Sequence, residues 1–313
     1  MNDISNALLA LDDLAPGLYP YRSIHSAEIE RNMPIWDEAG LRHFSRMIDN
    51  LIQVVFVCFV NRSGSNYLLD LLEQLDLGAK PTDEAFNYDQ VLARCRQNDV
   101  TSFSSYLAKI VLANAKNGVC FLKIGGEQLF WLTKHGFISR MMESATPPKF
   151  ILMSRRDRIA QAVSLFIAES TGQFSEAKID VVAPGSGEPG VRYDAGKILD
   201  RLRYILHQEH LFSLFSALHE VELLSLTYED LLGNPERTLR DVLTYANAPT
   251  DTLARVSLIE RAGKSLKRQR GKLNRALIEQ FREEFGVSRE RPVMHRAVAG
   301  TRAAAQQRSR RAR

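Results

Sequence analysis

Apolar positions along the chain fall into two kinds of pattern. Short, nearly continuous apolar runs occur at Gln53–Val60, Val119–Ile124, Lys149–Met153 and Val221–Leu226. Runs of that length and composition predict strands buried on both faces of a parallel sheet. Between and after them the apolar residues take a helical period, over Ser65–Leu75, Val100–Ala115, Arg158–Ser170, Asp194–Leu218 and Pro235–Tyr245. Strand and helix alternate, which predicts an α/β fold with a central parallel sheet flanked by helices. Residues 1–50 read as an irregular N-terminal extension with one helix near Glu38–Leu51, and residues 51–287 as one domain. The stretch from Gly172 to Gly196 contains "VVAPGSGEPGV" and reads as an exposed loop, of the kind that forms lids or substrate walls. "GKSLKRQRGK", Gly263–Lys272, is a basic loop before a last helix at Leu273–Phe285. No internal repeat is present.

Composition changes this picture only at the C-terminus. Hydrophobic residues make up 45% and charged residues 25% of the 313, ordinary for a globular protein with a sizeable core. The formal charge is +4, but Arg289–Arg313 holds eight arginines and one glutamate, a net +7, which leaves −3 on the rest. That tail, residues 288–313, is poor in large apolar side chains and is expected to be disordered. Three cysteines, Cys58, Cys95 and Cys120, form no CxxC pair, and an odd number without framework spacing suits a reducing compartment. The N-terminus is acidic and lacks the pattern of a secretory signal, and no run reaches membrane-spanning length. A cytoplasmic location is the expectation.

Candidate chemistry lies where two predicted strands end. "VVFVCFVNRSGSNYLLDLLEQL", Val54–Leu75, leaves a strand, turns through Arg62, Ser63, Gly64, Ser65 and Asn66, and enters a helix at once. In a parallel sheet, ligands bind beyond the carboxyl ends of strands. A helix start offers unpaired N–H groups and a positive dipole end. Gly64 permits the tight turn, the Ser and Asn side chains add donors, and Arg62 adds a permanent cation, so the stretch can cradle a phosphate or sulfate. An ATP or GTP phosphate loop would need G-x-x-x-x-G-K-[ST], and both the first glycine and the lysine are missing. Inert α/β proteins also carry an arginine and a few serines at such a turn. The second stretch, "KFILMSRRDRIAQAVSLFIAESTG", repeats strand, turn and helix. It sets Arg156 at the turn and puts Asp157, Gln161 and Ser164 on one side of the helix. An arginine and a hydroxyl so placed can grip a second phosphate. The plain alternative is a solvated basic turn with an inert serine.

Together the two stretches resemble the sulfotransferase family. "NRSGSNYL" is similar to the loop that binds the 5′-phosphosulfate of 3′-phosphoadenosine 5′-phosphosulfate (PAPS), and "RDRIAQAVS" to the R-x₇-S stretch that holds its 3′-phosphate. The closer resemblance is to the bacterial trehalose 2-sulfotransferase-like branch. "SRRDRIAQAVSLFIAESTG", then Tyr193–Asp194 before a long helix, then "TYEDL…P…TLR" over Thr227–Arg240, follow its order, and the likeness runs from about Val54 to Phe285.

The resemblance implies transfer of a sulfuryl group from PAPS to a hydroxyl of a carbohydrate or glycolipid, with no metal. It assigns Arg62 and Ser63–Asn66 to the phosphosulfate, and Arg156 and Ser164 to the 3′-phosphate. A glutamate after the first helix is the base in that branch. In "GAKPTDEAFNYD" this points to Glu84, with Asp83 as the alternative because the stretch departs from the pattern by about one residue. Lys123, after an apolar run, could meet the sulfuryl or bridging oxygen, or could be a snorkelling surface lysine. Tyr228 could contact the adenine or simply pack in its turn. Arg268 and Arg270 could close over the 3′-phosphate or form a solvated charge run. His207, His210 and His219 have no metal-pair spacing. Two rivals remain: another P-loop-related transferase or kinase, and a non-catalytic nucleotide binder tethered by the basic tail. No specific nucleic-acid partner is expected. Peripheral contact of the tail with anionic membrane, and a homodimer, are compatible with the sequence.

Overall fold

The structure is a computed structural model, and it describes residues 24–50, 52–80, 84–172, 191–249, 251–252, 254–255 and 272–287. The chain divides into two units, residues 1–269 and 270–313.

In the first unit, four strands form one parallel sheet: β1 (Gln53–Phe59), β2 (Val119–Ile124), β3 (Lys149–Ser154) and β4 (Leu223–Thr227). Their spatial order is β2-β1-β3-β4. In β1 all residues from Gln53 to Cys58 are buried, as a strand covered on both faces requires. β2 is an end strand and yet equally buried. Gly78 runs alongside it and its carbonyl accepts from Phe121 N at 2.8 Å, which covers the edge. β4, the other end strand, is only partly buried, and its sequence LLSLT is correspondingly mixed.

The helices of this unit are α1 (Ile24–Asn32), α2 (Glu38–Asp49), α3 (Ser65–Gln74), α4 (Tyr88–Gln97), α5 (Phe103–Asn114), α6 (Gly126–Lys134), α7 (Phe137–Met142), α8 (Arg158–Thr171), α9 (Ala195–His219), α10 (Tyr228–Gly233) and α11 (Pro235–Tyr245). α3 buries Leu68, Leu69, Leu71 and Leu72 in a core with Val55, Val57, Ile151 and Met153 of the central strands. The second unit contains α12 (Lys272–Glu284), whose Leu277 and Phe281 are buried.

The predicted strands and helices are present within a few residues, and the shifts have local causes. α5 starts at Phe103 rather than Val100 because Ser102 is its cap, its Oγ accepting from Ser105 N at 3.3 Å. β4 starts at Leu223 rather than Val221 because Val221 N still closes the end of α9 on Ser216 O, at 3.1 Å, after left-handed Glu220. Residues 1–50 are not irregular throughout: α1 was not predicted. Nor were α4, α6, α7 and α10, all ten residues or shorter. Most of the loop expected before Gly196, the basic loop and the tail lie outside the described residues.

Candidate active site

A strand order of β2-β1-β3-β4 reverses direction at the β1/β3 pair, where the chain leaves one side of β1 and returns on the other. Loops after β1 and β3 therefore splay apart and open a crevice at their carboxyl ends. Both stretches singled out in the sequence end at that crevice. After β1, Arg62 takes a left-handed conformation at φ 66° and Gly64 another at φ 94°. Ser63 N closes the turn on Val60 O at 3.0 Å, and Gly64 O accepts from Tyr67 N and Leu68 N to start α3. An arginine in the left-handed region is uncommon, and such backbone persists where the surroundings hold it. Gly64 is required twice over: a Cβ there would lie 2.4 Å from Tyr228 Cδ2, and its φ is one that side chains disfavour.

The side chains of this turn divide into engaged and unengaged groups. Arg62 Nε donates to Ser164 Oγ at 3.0 Å, and Gln161 Nε2 donates to Asn61 O at 2.9 Å. Thus Gln161 and Ser164 do share the helix side predicted for them, and that side grips the first turn. Asp157, the third residue of the set, caps α8 by accepting from Ala160 N at 3.0 Å. Ser63 is fully buried, at 0% exposure, and its Oγ has no hydrogen-bond partner. A buried hydroxyl without a partner costs roughly 1–3 kcal/mol, so Ser63 keeps one donor that the fold itself leaves unused.

The basic turn after β3 is not uniformly solvated. Arg155 is buried, with its guanidinium 5.1 Å from the Tyr228 ring centre and its Nε 3.9 Å from Glu229 Oε1. Arg156 is 59% exposed; its side chain donates to Asp230 Oδ1, and its backbone N to Glu229 Oε2 at 2.9 Å. Arg158 pairs with Glu209 at 2.8 Å. Tyr228, which opens α10, packs its ring over Gly64 and Arg155, so its turn is built around the phosphate-loop candidate.

On the other side of β1, Lys123 near the end of β2 is no surface lysine: its side chain is 2% exposed. A buried ammonium needs partners. Its Nζ donates to Asn66 Oδ1 at 2.8 Å and to Glu84 Oε1 at 3.2 Å, and lies 4.4 Å from the Phe59 ring centre. Glu84 also accepts from Asn87 Nδ2 at 2.6 Å, and Asn87 Oδ1 from Gln128 Nε2 at 3.0 Å. His25 of α1 stands nearby, its Nδ1 accepting from Tyr88 N at 3.3 Å. Burial lowers its pKa, against the opposing charges of Asp89 and Glu84. Burial also raises the Glu127 carboxyl, although Gln208 Nε2 donates to it at 3.1 Å.

The fold therefore brings Arg62, Ser63, Gly64, Ser65, Asn66, Ser164 and Tyr228 together beyond the carboxyl ends of β1 and β3, with Lys123 and Glu84 joined to them through Asn66. Arg156 is at the rim of this group. Asp83, Arg268 and Arg270 lie outside the described residues. Sequence reading missed Arg155, Asn87, Gln128 and His25. Asn87, three residues after Glu84, offered a weak signal, and a lone histidine ahead of the domain offered none. Among the described residues no group of three or more His, Cys, Asp or Glu could hold a metal ion, and no helix is long and apolar enough to cross a membrane. Cys58, Cys95 and Cys120 are buried thiols outside any disulfide.

A parallel α/β sheet with Arg62, Ser63 and Ser164 gathered beyond the carboxyl ends of β1 and β3 has the architecture of the α/β proteins that place their sites at a switch point. The family model of the Stf0 sulphotransferases matches residues 54–284, and the chain belongs to that family. A comparison with curated proteins gives no match.

Proposed function

We propose that the chain transfers a sulfuryl group from PAPS to a hydroxyl of a carbohydrate or glycolipid acceptor. The observation that carries this reading is the fully buried, unpartnered Oγ of Ser63, set in a turn with the Arg62 guanidinium and the first N–H groups of α3. That donor set fits a phosphosulfate: charged and neutral donors converge on one anion without a metal. When bound, PAPS supplies the activated sulfuryl group and a phosphate leaving group.

The residues of the chain then divide the work. Arg62, Ser63 and the Ser65 and Asn66 amides hold the anion and offset charge that grows on the leaving phosphate, as preorganised donors do in phosphoryl transfer. Lys123, held by Asn66 on one side and Glu84 on the other, adds a cation between donor and acceptor. Glu84 takes the proton of the attacking hydroxyl. Its side chain is 38% exposed, so an acceptor can reach it. Ser164 and Arg156 bind the 3′-phosphate, for which Arg156 exchanges its carboxylate partners, and Tyr228 borders the nucleoside.

Two measurements test this. Thermal shift with adenosine 3′,5′-bisphosphate, ATP and AMP should give the largest stabilisation with the first; an equal or larger effect of ATP would favour a kinase-like transferase. Glu84→Gln keeps the side-chain shape but cannot accept the proton. It should slow sulfuryl transfer roughly 10²–10⁴-fold while leaving bisphosphate binding near wild type. If turnover is unchanged while His25→Ala abolishes it, the base is the imidazole instead.

A further inference from the structure

Resting on the reading of Glu84 as the proton acceptor, we infer that Asn87 and Gln128 are positioning residues that fix the orientation of that carboxylate through a polarised hydrogen-bond relay. The relay starts at a backbone amide. Gly125 N donates to Gln128 Oε1 at 2.9 Å, Gln128 Nε2 donates to Asn87 Oδ1 at 3.0 Å, and Asn87 Nδ2 donates to Glu84 Oε2 at 2.6 Å. A backbone N–H can only donate and a carboxylate can only accept. These two ends set the sense of both amides between them: neither can flip without placing oxygen against oxygen. Lys123 Nζ reaches the other carboxylate oxygen, Oε1, at 3.2 Å. Each oxygen of Glu84 therefore has one fixed donor. Each keeps a second lone pair for a hydroxyl in the plane that the relay defines.

A purely structural account fits Asn87 poorly. It is the N-cap residue of α4, where an asparagine side chain ordinarily accepts from the first turn of its own helix. Here it makes no such cap bond. Its amide is committed to Glu84 on one side and Gln128 on the other, bridging the loop before α4 to the first turn of α6. Gln128 alone has an ordinary role, since its Oε1 satisfies the N-cap N–H of α6. Its Nε2 is the part that role leaves over.

The test is a double-mutant cycle on the full chain, with labelled PAPS at saturation and a small-molecule cell extract as acceptor pool. Asn87→Ala should lower the transfer rate about tenfold in the wild-type background. It should lower it no further in the Glu84→Gln background, with the KM for PAPS unchanged. Gln128→Glu keeps the oxygen that meets Gly125 N and removes the donor. It should reproduce the loss, and it serves if Asn87→Ala does not fold. A second readout needs no acceptor: in the free protein, Glu84→Gln should shift the side-chain NH₂ resonances of both Asn87 and Gln128. If Glu84→Gln is slow while Asn87→Ala and Gln128→Glu run at the wild-type rate, the positioning role is wrong and the base assignment survives. Additive losses, or unmoved Gln128 resonances, also overturn the relay. If Glu84→Gln itself turns over normally, the base assignment has failed, and the relay has no catalytic group to orient.

Discussion

Ser63 gives the sharpest separation of stability from ligand binding. Its hydroxyl is buried without a partner, so in the free protein it is a small cost rather than a support. Ser63→Ala should therefore leave unfolding free energy unchanged or slightly raised, by about 1 kcal/mol or less. The same change should weaken adenosine 3′,5′-bisphosphate roughly tenfold, as loss of one hydrogen bond to an anion does. A calorimetric titration beside urea unfolding checks both halves; a destabilised protein with full affinity would make Ser63 structural. Arg156 behaves differently because it already has carboxylate partners at Glu229 and Asp230. Arg156→Ala should weaken the bisphosphate by about ten- to a hundred-fold and leave adenosine 5′-phosphate nearly unaffected, since charge-assisted bonds contribute roughly 1.5–3 kcal/mol. Equal losses for the two nucleotides, measured by calorimetry, would move Arg156 away from the 3′-phosphate.

At the scale of elements, the crevice depends on α10 lying against the turn after β1. Tyr228 covers Gly64 so closely that no Cβ fits, at 2.4 Å. Gly64→Ala should cost about 1–3 kcal/mol through backbone strain alone, with a further loss from the clash. Adding Tyr228→Ala should recover the clash component but not the strain. Denaturant midpoints of the single and double variants decide this, and purely additive losses would mean the ring does not press on the turn. The existence of the turn was legible from sequence, because a strand, a glycine and a helix are encoded within a dozen residues. The ring that seals it was not. It arrives at the start of α10, directly after edge strand β4, and strand order is set by pairing between segments distant in sequence.

At the scale of the molecule, residues 24–50 precede the family match but are joined to the domain. Trp36 stacks on Phe137 with ring centres 4.3 Å apart, and Phe44 meets the same ring edge-on at 5.4 Å. Glu30 Oε1 accepts from Trp131 Nε1 at 2.8 Å and lies 3.0 Å from His135 Nε2. Asp37 accepts from Thr101 and Ser102 at 2.8 Å each, and from Gly40 N, capping α2. Burial pulls both carboxyl pKa values up. For Glu30 the donors Trp131 and His135, and for Asp37 the donors Gly40, Ser102 and Thr101, outweigh it, so both end below the ordinary value. A lowered folded pKa means stability that is complete above about pH 5 and is lost as pH falls through the folded values. His25, His207 and His219, all lowered by burial, begin the decline earlier, below about pH 6.5, because the unfolded chain takes their protons first. Unfolding free energy should thus fall in two stages on acidification, offset in part by Glu127, whose raised carboxyl adds stability as pH falls through its folded value. Replacing Glu30 with Gln and Asp37 with Asn should flatten only the more acidic stage. A curve that keeps its full acid limb in that double variant would show that these two carboxylates do not anchor the N-terminal helices.

Local patterns in the sequence determined the four strands, most of the longer helices, and the two turns that carry Arg62–Asn66 and Arg155–Ser164. Those features depend on residues within one or two helical turns of each other, and apolar period and turn chemistry record them directly. The family's likeness then pointed to Glu84, which no local pattern distinguishes from a solvated carboxylate. Tertiary structure alone decided the rest. The contact of Arg62 with Ser164 joins residues 102 apart. It exists because β1 and β3 are neighbours at the point where the sheet reverses. Lys123 is buried rather than snorkelling because Asn66 and Glu84, from two other segments, meet its ammonium. Arg155 is buried and Arg156 exposed, although the two are adjacent and alike in sequence, because the Tyr228 ring lies over the Arg155 guanidinium while Arg156 pairs with Asp230 at the surface. The sense of the Asn87 and Gln128 amides is fixed by a backbone donor at one end and a carboxylate at the other. Such an arrangement has no signature along the chain, since side-chain hydrogen bonds depend on where three folded segments converge.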